Sequence, residues 1–186
     1  MILKPKFSMA DADRAYKEWG ANCGPGAIAA ICGLSLDELR PFMADFESKH
    51  YTNPRLMWTV LKNLNMEFRV EKQPIRFPEW GLARVQWEGP WTAPGVPIRV
   101  RYRHTHWVGS AQGVHGWGIF DINCINNGSG WVRLEDWEKL VVPFLLESSE
   151  PQASGKWHLT HGVSIPQGLR ATARNAAERI LGESNQ

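Results

Sequence analysis

Capped helix starts fill the first third of this chain, and alternating apolar–polar runs fill much of its second half; that order restricts the fold more than any other feature. Ser8 with Asp11, and Ser35 with Glu38, have the three-residue spacing of a capping box. Asn53-Pro54 puts a capping side chain ahead of a proline at the first helical position. These signals predict helices over 8–19, 35–39 and from 53 to 64, the last with Leu56, Val60, Leu61 and Leu64 on one stripe. A further helix is expected over 23–31, where Ala27, Ile28, Ala30 and Ile31 are apolar and Gly33 follows as a stop. Residues 67–71 alternate like a strand, and 74–97 read as irregular with a short strand at 83–87. The expected strands then run at 98–102, 106–111, 118–123, 130–134, 143–147 and 156–165, with a helical turn at 134–140. Helices first and strands second predict an α+β fold, the N-terminal helices packing on a C-terminal antiparallel β-sheet. No repeat divides the 186 residues, so one domain over 1–186 is expected, with 166–186 as a helical tail.

Cys23 is the residue of greatest chemical interest. It follows the loop formers Gly20 and Asn22 and precedes Gly24-Pro25, a pair suited to a first helical turn. A thiol at a helix N-terminus is pushed toward thiolate, the form that attacks carbonyls. Gly24 would leave room beside the sulfur for a substrate backbone. Downstream, His104 and His106 begin a strand-like segment, and either could act as base. Asp121 and Asn123 share a face of the next predicted strand, and either could accept the imidazole N–H. Cys32 and Cys124 suit buried structural positions, as His50, His115, His158 and His161 suit structural roles.

The net charge of +2 gives no field that would gather nucleic acid. Arg99, Arg101 and Arg103 alternate with Val100 and Tyr102, which predicts a solvated strand face. Three cysteines without paired spacing predict free thiols, a cytoplasmic setting and neither metal nor cofactor. The first residues lack a signal-peptide pattern, and no apolar run is long enough to span a bilayer. Ten tryptophans suit a core filled by large rings, or an aromatic-lined groove in which Trp58 and Trp107 are the candidate walls.

Asn-Cys-Gly-Pro-Gly-Ala-Ile-Ala from Asn22, His-Trp-Val-Gly from His106 and Phe-Asp-Ile-Asn from Phe120 together resemble the papain-like cysteine peptidases. Within that superfamily the chain is most similar to the bacteriocin-leader-processing peptidases and their free-standing bacterial and phage relatives. The resemblance spans roughly residues 15–140 and includes Thr52-Asn53-Pro54 with the helix after it. It implies Cys23 as nucleophile, His106 rather than His104 as base, and Asp121 as the acid that orients it. The implied activity is hydrolysis of a peptide or isopeptide bond in a protein or peptide substrate. Deamidation, transglutaminase-like acyl transfer, or a binding or inhibitory module on the same scaffold are the alternatives. The family's oxyanion-binding Gln is replaced here, since Lys17 and Glu18 occupy its region; Asn22 or the Trp19 indole could stand in, beside the Cys23 N–H.

Overall fold

The computed structural model describes residues 4–43, 46–101, 103–147, 153–169 and 171–176. Its helical half is α1 (Met9–Trp19), α2 (Cys23–Cys32), α3 (Leu36–Leu39), α4 (Phe46–Lys49) and α5 (Pro54–Asn63). The local chemistry sets these boundaries. Ser8 and Asp11 form a reciprocal capping box on α1, Ser35 and Glu38 form one on α3, and the Asn53 side chain accepts from the Leu56 N–H to start α5. Gly20 and Gly33 close α1 and α2 in the left-handed conformation that glycine adopts without strain.

The other half is an antiparallel sheet of six strands: β1 (Arg69–Val70), β2 (Trp80–Trp87), β3 (Thr105–Gly113), β4 (Gly116–Phe120), β5 (Trp131–Arg133) and β6 (Trp157–Ser164). They lie in the order β1-β6-β2-β3-β4-β5, so the chain is α+β with a meander, β2 to β5, extended by β6 and β1 at one side. Helices α1–α5 cover one face, where Ile28, Ile31, Leu61, Leu82, Trp107 and Phe120 are buried. A smaller layer covers the other face with Val85, Val108, Ile119, Trp137 and Leu146. Seven of the ten tryptophans are buried in these two cores, so most of the rings fill the interior.

Three expectations change. Residues 98–101 form a short helix, α6 (Ile98–Arg101), not a strand: Pro97 fixes the turn and its carbonyl accepts from the Val100 N–H. The alternating arginines therefore do not share a strand face; Tyr102 lies outside the described residues. Residues 143–147 are helical as well. The run is α7 (Leu134–Asp136), a π-turn (Trp137–Val141) and α8 (Val142–Glu147), with the Val142 N–H bonded to the Trp137 carbonyl. Pro143 brings no N–H and its ring crowds the carbonyl four residues back, and the wider turn before it relieves both problems. Finally, β4 ends at Phe120 and residues 122–127 form a 3₁₀ helix, so Asp121 and Asn123 do not lie on one strand.

The tail predicted at 166–186 begins with a 3₁₀ turn (Gln167–Leu169), and 171–176 are helical. Ala173 and Ala176 are buried in the helix-side core, so this segment packs on the same body. The tail residues Ala177, Ile180 and Leu181 lie outside the described residues. No helix among the described residues is long and apolar enough to cross a membrane.

Candidate active site

The site forms where the sheet opens. β3 pairs with β2 from Thr105 to Ala111, but with β4 only from Gly109 onward, because β4 leaves the ladder at Phe120. The first four residues of β3 therefore have no strand partner on that side. The N-terminus of α2 lies against this opening, with the Cys23 sulfur near enough to the Trp107 backbone N–H for that donor to favour the thiolate. Small residues permit the approach. A Cβ on Gly26 would come within 2.5 Å of Ile122, which anchors the 3₁₀ helix on α2.

His106 projects from β3 toward both partners. Its Nε2 lies 2.9 Å from Asp121 Oδ2, and its ring is close enough to the Cys23 thiol for each to shift the other's ionisation. Since Asp121 is ionised and accepts, Nε2 carries a proton and Nδ1 is the nitrogen left for the thiol. Asp121 is fully buried and fully engaged. Oδ2 also accepts from the Trp137 indole N–H at 2.9 Å. Oδ1 accepts from the Asn123 backbone N–H at 3.0 Å and from its side-chain amide at 2.9 Å. The carboxylate thus caps the 3₁₀ helix that follows it, which explains why β4 stops there.

These contacts set the charges. Burial pushes the Cys23 thiol up, but the hydrogen bond and charge of His106 and the Trp107 N–H outweigh it, and the thiol lies below its ordinary value. Burial pulls His106 down, yet Asp121, with Cys23 adding to it, holds the imidazole well above its usual range. Burial would raise Asp121, but His106, Trp137 and Asn123 bring it down to about 2. Together they favour a thiolate–imidazolium pair above a buried carboxylate. Cys124 is pushed up to about 12 by burial and by Asp121, so it stays a thiol. None of the three cysteines is in a disulfide, and Cys32 is buried.

The remaining expected site residues take other positions. His104 precedes β3 with φ +48°, and its ring packs on Trp91 at 4.2 Å, away from the thiol. Asn123 holds Asp121 instead of competing with it for the imidazole. Asn22 turns its amide back to the Ala12 carbonyl at 3.0 Å. It therefore gives α2 no side-chain cap, and the Cys23 and Gly24 N–H groups at the helix start are left without an intrahelical partner. Trp19 is buried against Phe46 with Arg40 over its ring, a core position. Lys17 is exposed, and Glu18 accepts from Arg40 at 2.7 Å.

Trp107 is buried and its indole donates to the Thr52 carbonyl at 2.9 Å, so it braces the α5 approach instead of lining a groove. Gly24 faces the same segment. A Cβ there would lie 2.3 Å from Thr52 Oγ1, so its lack of a side chain serves packing, not substrate access. Trp58 is half-buried, edge-on to His161 at 5.6 Å. Gly24→Ala should destabilise the protein by ~2 kcal/mol through overpacking and slow Cys23 alkylation as α2 shifts, both measurable by urea denaturation with a labelling time course.

Two participants were missed by sequence reasoning. The Trp107 backbone donor has no sequence signal. Trp137 sits in a predicted helical turn, and only the π-turn before Pro143 brings its indole to Asp121. A scan against protein-family models finds no match for the chain, and searches of curated proteins and of solved structures find none either.

Proposed function

We propose that the chain is a papain-like thiol hydrolase that cleaves a peptide or isopeptide bond through Cys23, His106 and Asp121. The observation that carries this reading is a single imidazole set beside the Cys23 thiol and hydrogen-bonded to a fully buried, four-donor carboxylate. The Cys23 thiolate attacks the carbonyl carbon, and the developing oxyanion meets the free N–H groups at the start of α2. The His106 imidazolium gives its proton to the leaving amine as the C–N bond breaks, which leaves a thioester on Cys23. His106, now neutral, takes a proton from water; the hydroxide adds to the thioester, and the thiolate departs. Asp121 stays ionised throughout and holds the ring. A free, reactive thiol suits a reducing compartment such as the cytoplasm.

Incubating the protein with a peptide library and reading the products by mass spectrometry tests this. Peptide-bond loss that disappears in Cys23→Ala supports hydrolysis. A gain of about one mass unit on Gln or Asn would assign deamidation instead, and a new amine cross-link would assign acyl transfer; both proceed through the same thioester. Biological effect retained in full by Cys23→Ala would make the fold a binding module.

The shifted groups also fix a pH profile. Cys23 lies below its ordinary value and His106 above, so the reactive ion pair spans the interval between them. Activity should fall at low pH as the thiolate is protonated and at high pH as His106 loses its proton. Iodoacetamide should label Cys23 at a lower pH than it labels a free thiol, whose pKa is about 8.5.

A further inference from the structure

A second concavity lies at the other end of β3, roughly 20 Å from His106 along the strand. On the helix-side face, Trp80, Ala111, Gly118 and Arg133 stand directly opposite one another on β2, β3, β4 and β5. Directly opposed residues share a face, so this row reads large, small, none, large. Gly113 and Gly116, opposed one step further on, continue the bare strip. Trp80 and Trp131 start from strands about 14 Å apart, yet their rings stack at 5.9 Å and 22°, because only the Ala111 methyl and the bare Gly118 stand in the row between. Beside the stacked pair is a cavity of about 680 Å³, floored by strand backbone and lined also by the half-buried Trp117.

The lining chemistry selects the ligand. Arg133 and Asp136 both border the cavity, but the Arg133 Nε lies 2.8 Å from Asp136 Oδ2, so the two charges balance. Gln112 and Gln167 add neutral amides that donate and accept. Apart from the exposed His115, an anion or a cation meets no net opposite charge here, and a purely apolar molecule would leave the amides unused. A molecule with flat C–H faces for indole and hydroxyls for amides matches both parts of the wall.

We infer that this cavity binds a neutral oligosaccharide. The proposal does not depend on the reaction at Cys23. The test is a titration of the ¹⁵N-labelled full chain with cellotriose and with triacetylchitotriose. At least one sugar should give saturable shifts of the Trp117 and Trp131 indole N–H and of the Gly113, Gly116 and Gly118 amides. Trp117→Ala should weaken binding by up to about tenfold, the factor expected for one lost ring contact. In Gly118→Val the strip is filled; a Cβ there meets nothing closer than 3.5 Å, at the Trp131 ring. Binding should vanish in that variant while Cys23 labelling, as a control for folding, is unchanged. No saturable shift with either sugar would overturn the inference, as would shifts that survive Gly118→Val. A proline-rich peptide or a nucleoside that moves these resonances when sugars do not would overturn it equally.

Discussion

Cys23→Ala should remove iodoacetamide labelling at pH 7 and turnover together, with a loss in kcat on the order of 10⁶-fold, as expected when a triad acts as a unit. The prediction is sharp because the other two thiols are silent for separate reasons. Cys124 sits at about 12, and Cys32 is buried in the helix-side core. Tryptic mapping of the folded protein should therefore find one alkylated cysteine per chain, and none in the variant. His106→Ala should give the complementary result: the thiol remains, but without the imidazole its burial wins and its value rises. Labelling at pH 7 then slows and recovers in alkaline buffer. Labelling of Cys32 or Cys124 in the native protein ahead of Cys23, or unchanged labelling kinetics in His106→Ala, would remove the assignment.

The parts of this arrangement visible in the sequence were the local ones. Ser8 with Asp11, Ser35 with Glu38 and Asn53-Pro54 act within four residues of themselves, so the helix starts could be read without knowing the fold. The strands were harder because their boundaries are set from far away. Gly81 falls in the stretch expected to be irregular, yet it lies inside β2, where a Cβ would come 1.9 Å from the Val163 carbonyl on β6. The arginine alternation at 99–103 has a strand's period, but Pro97 nucleates a helical turn locally.

The same division runs through the site. Cys23, His106 and Asp121 carry chemistry in their side-chain types, and the structure brings all three together. What surrounds them is tertiary. The Trp107 N–H is available only because β4 departs at Phe120, and Gly24 is small only because Thr52 arrives from another element. Neither fact has a signature within a short stretch of chain.

Asp121→Asn should leave the fold intact and lower kcat by on the order of 10⁴-fold, because it changes which imidazole nitrogen is basic. Every donor around Asp121 needs an acceptor: His106 and the Trp137 indole on Oδ2, Asn123 twice on Oδ1. An asparagine oxygen can serve only one pair. If it serves Asn123, its NH₂ faces the His106 ring and the Trp137 N–H. His106 then accepts at Nε2 and carries its proton on Nδ1, where it can no longer deprotonate Cys23. The ¹⁵N chemical shifts of the His106 ring should report the tautomer directly; an unchanged Nε2–H form with full activity would refute the assigned role. Asp121→Ala should be worse for stability, by about 3–5 kcal/mol, since it strands a buried imidazole and a buried indole donor. The wild type should show the matching acid behaviour. Its Asp121 lies at about 2 in the folded chain against 3.8 for the ordinary carboxyl. A depressed folded value stabilises the protein above the unfolded value, and that contribution, ~2 kcal/mol, is lost as the pH falls from about 4 toward 2. Urea midpoints measured across that interval should drop in the wild type and stay flatter in Asp121→Asn, in which position 121 no longer titrates.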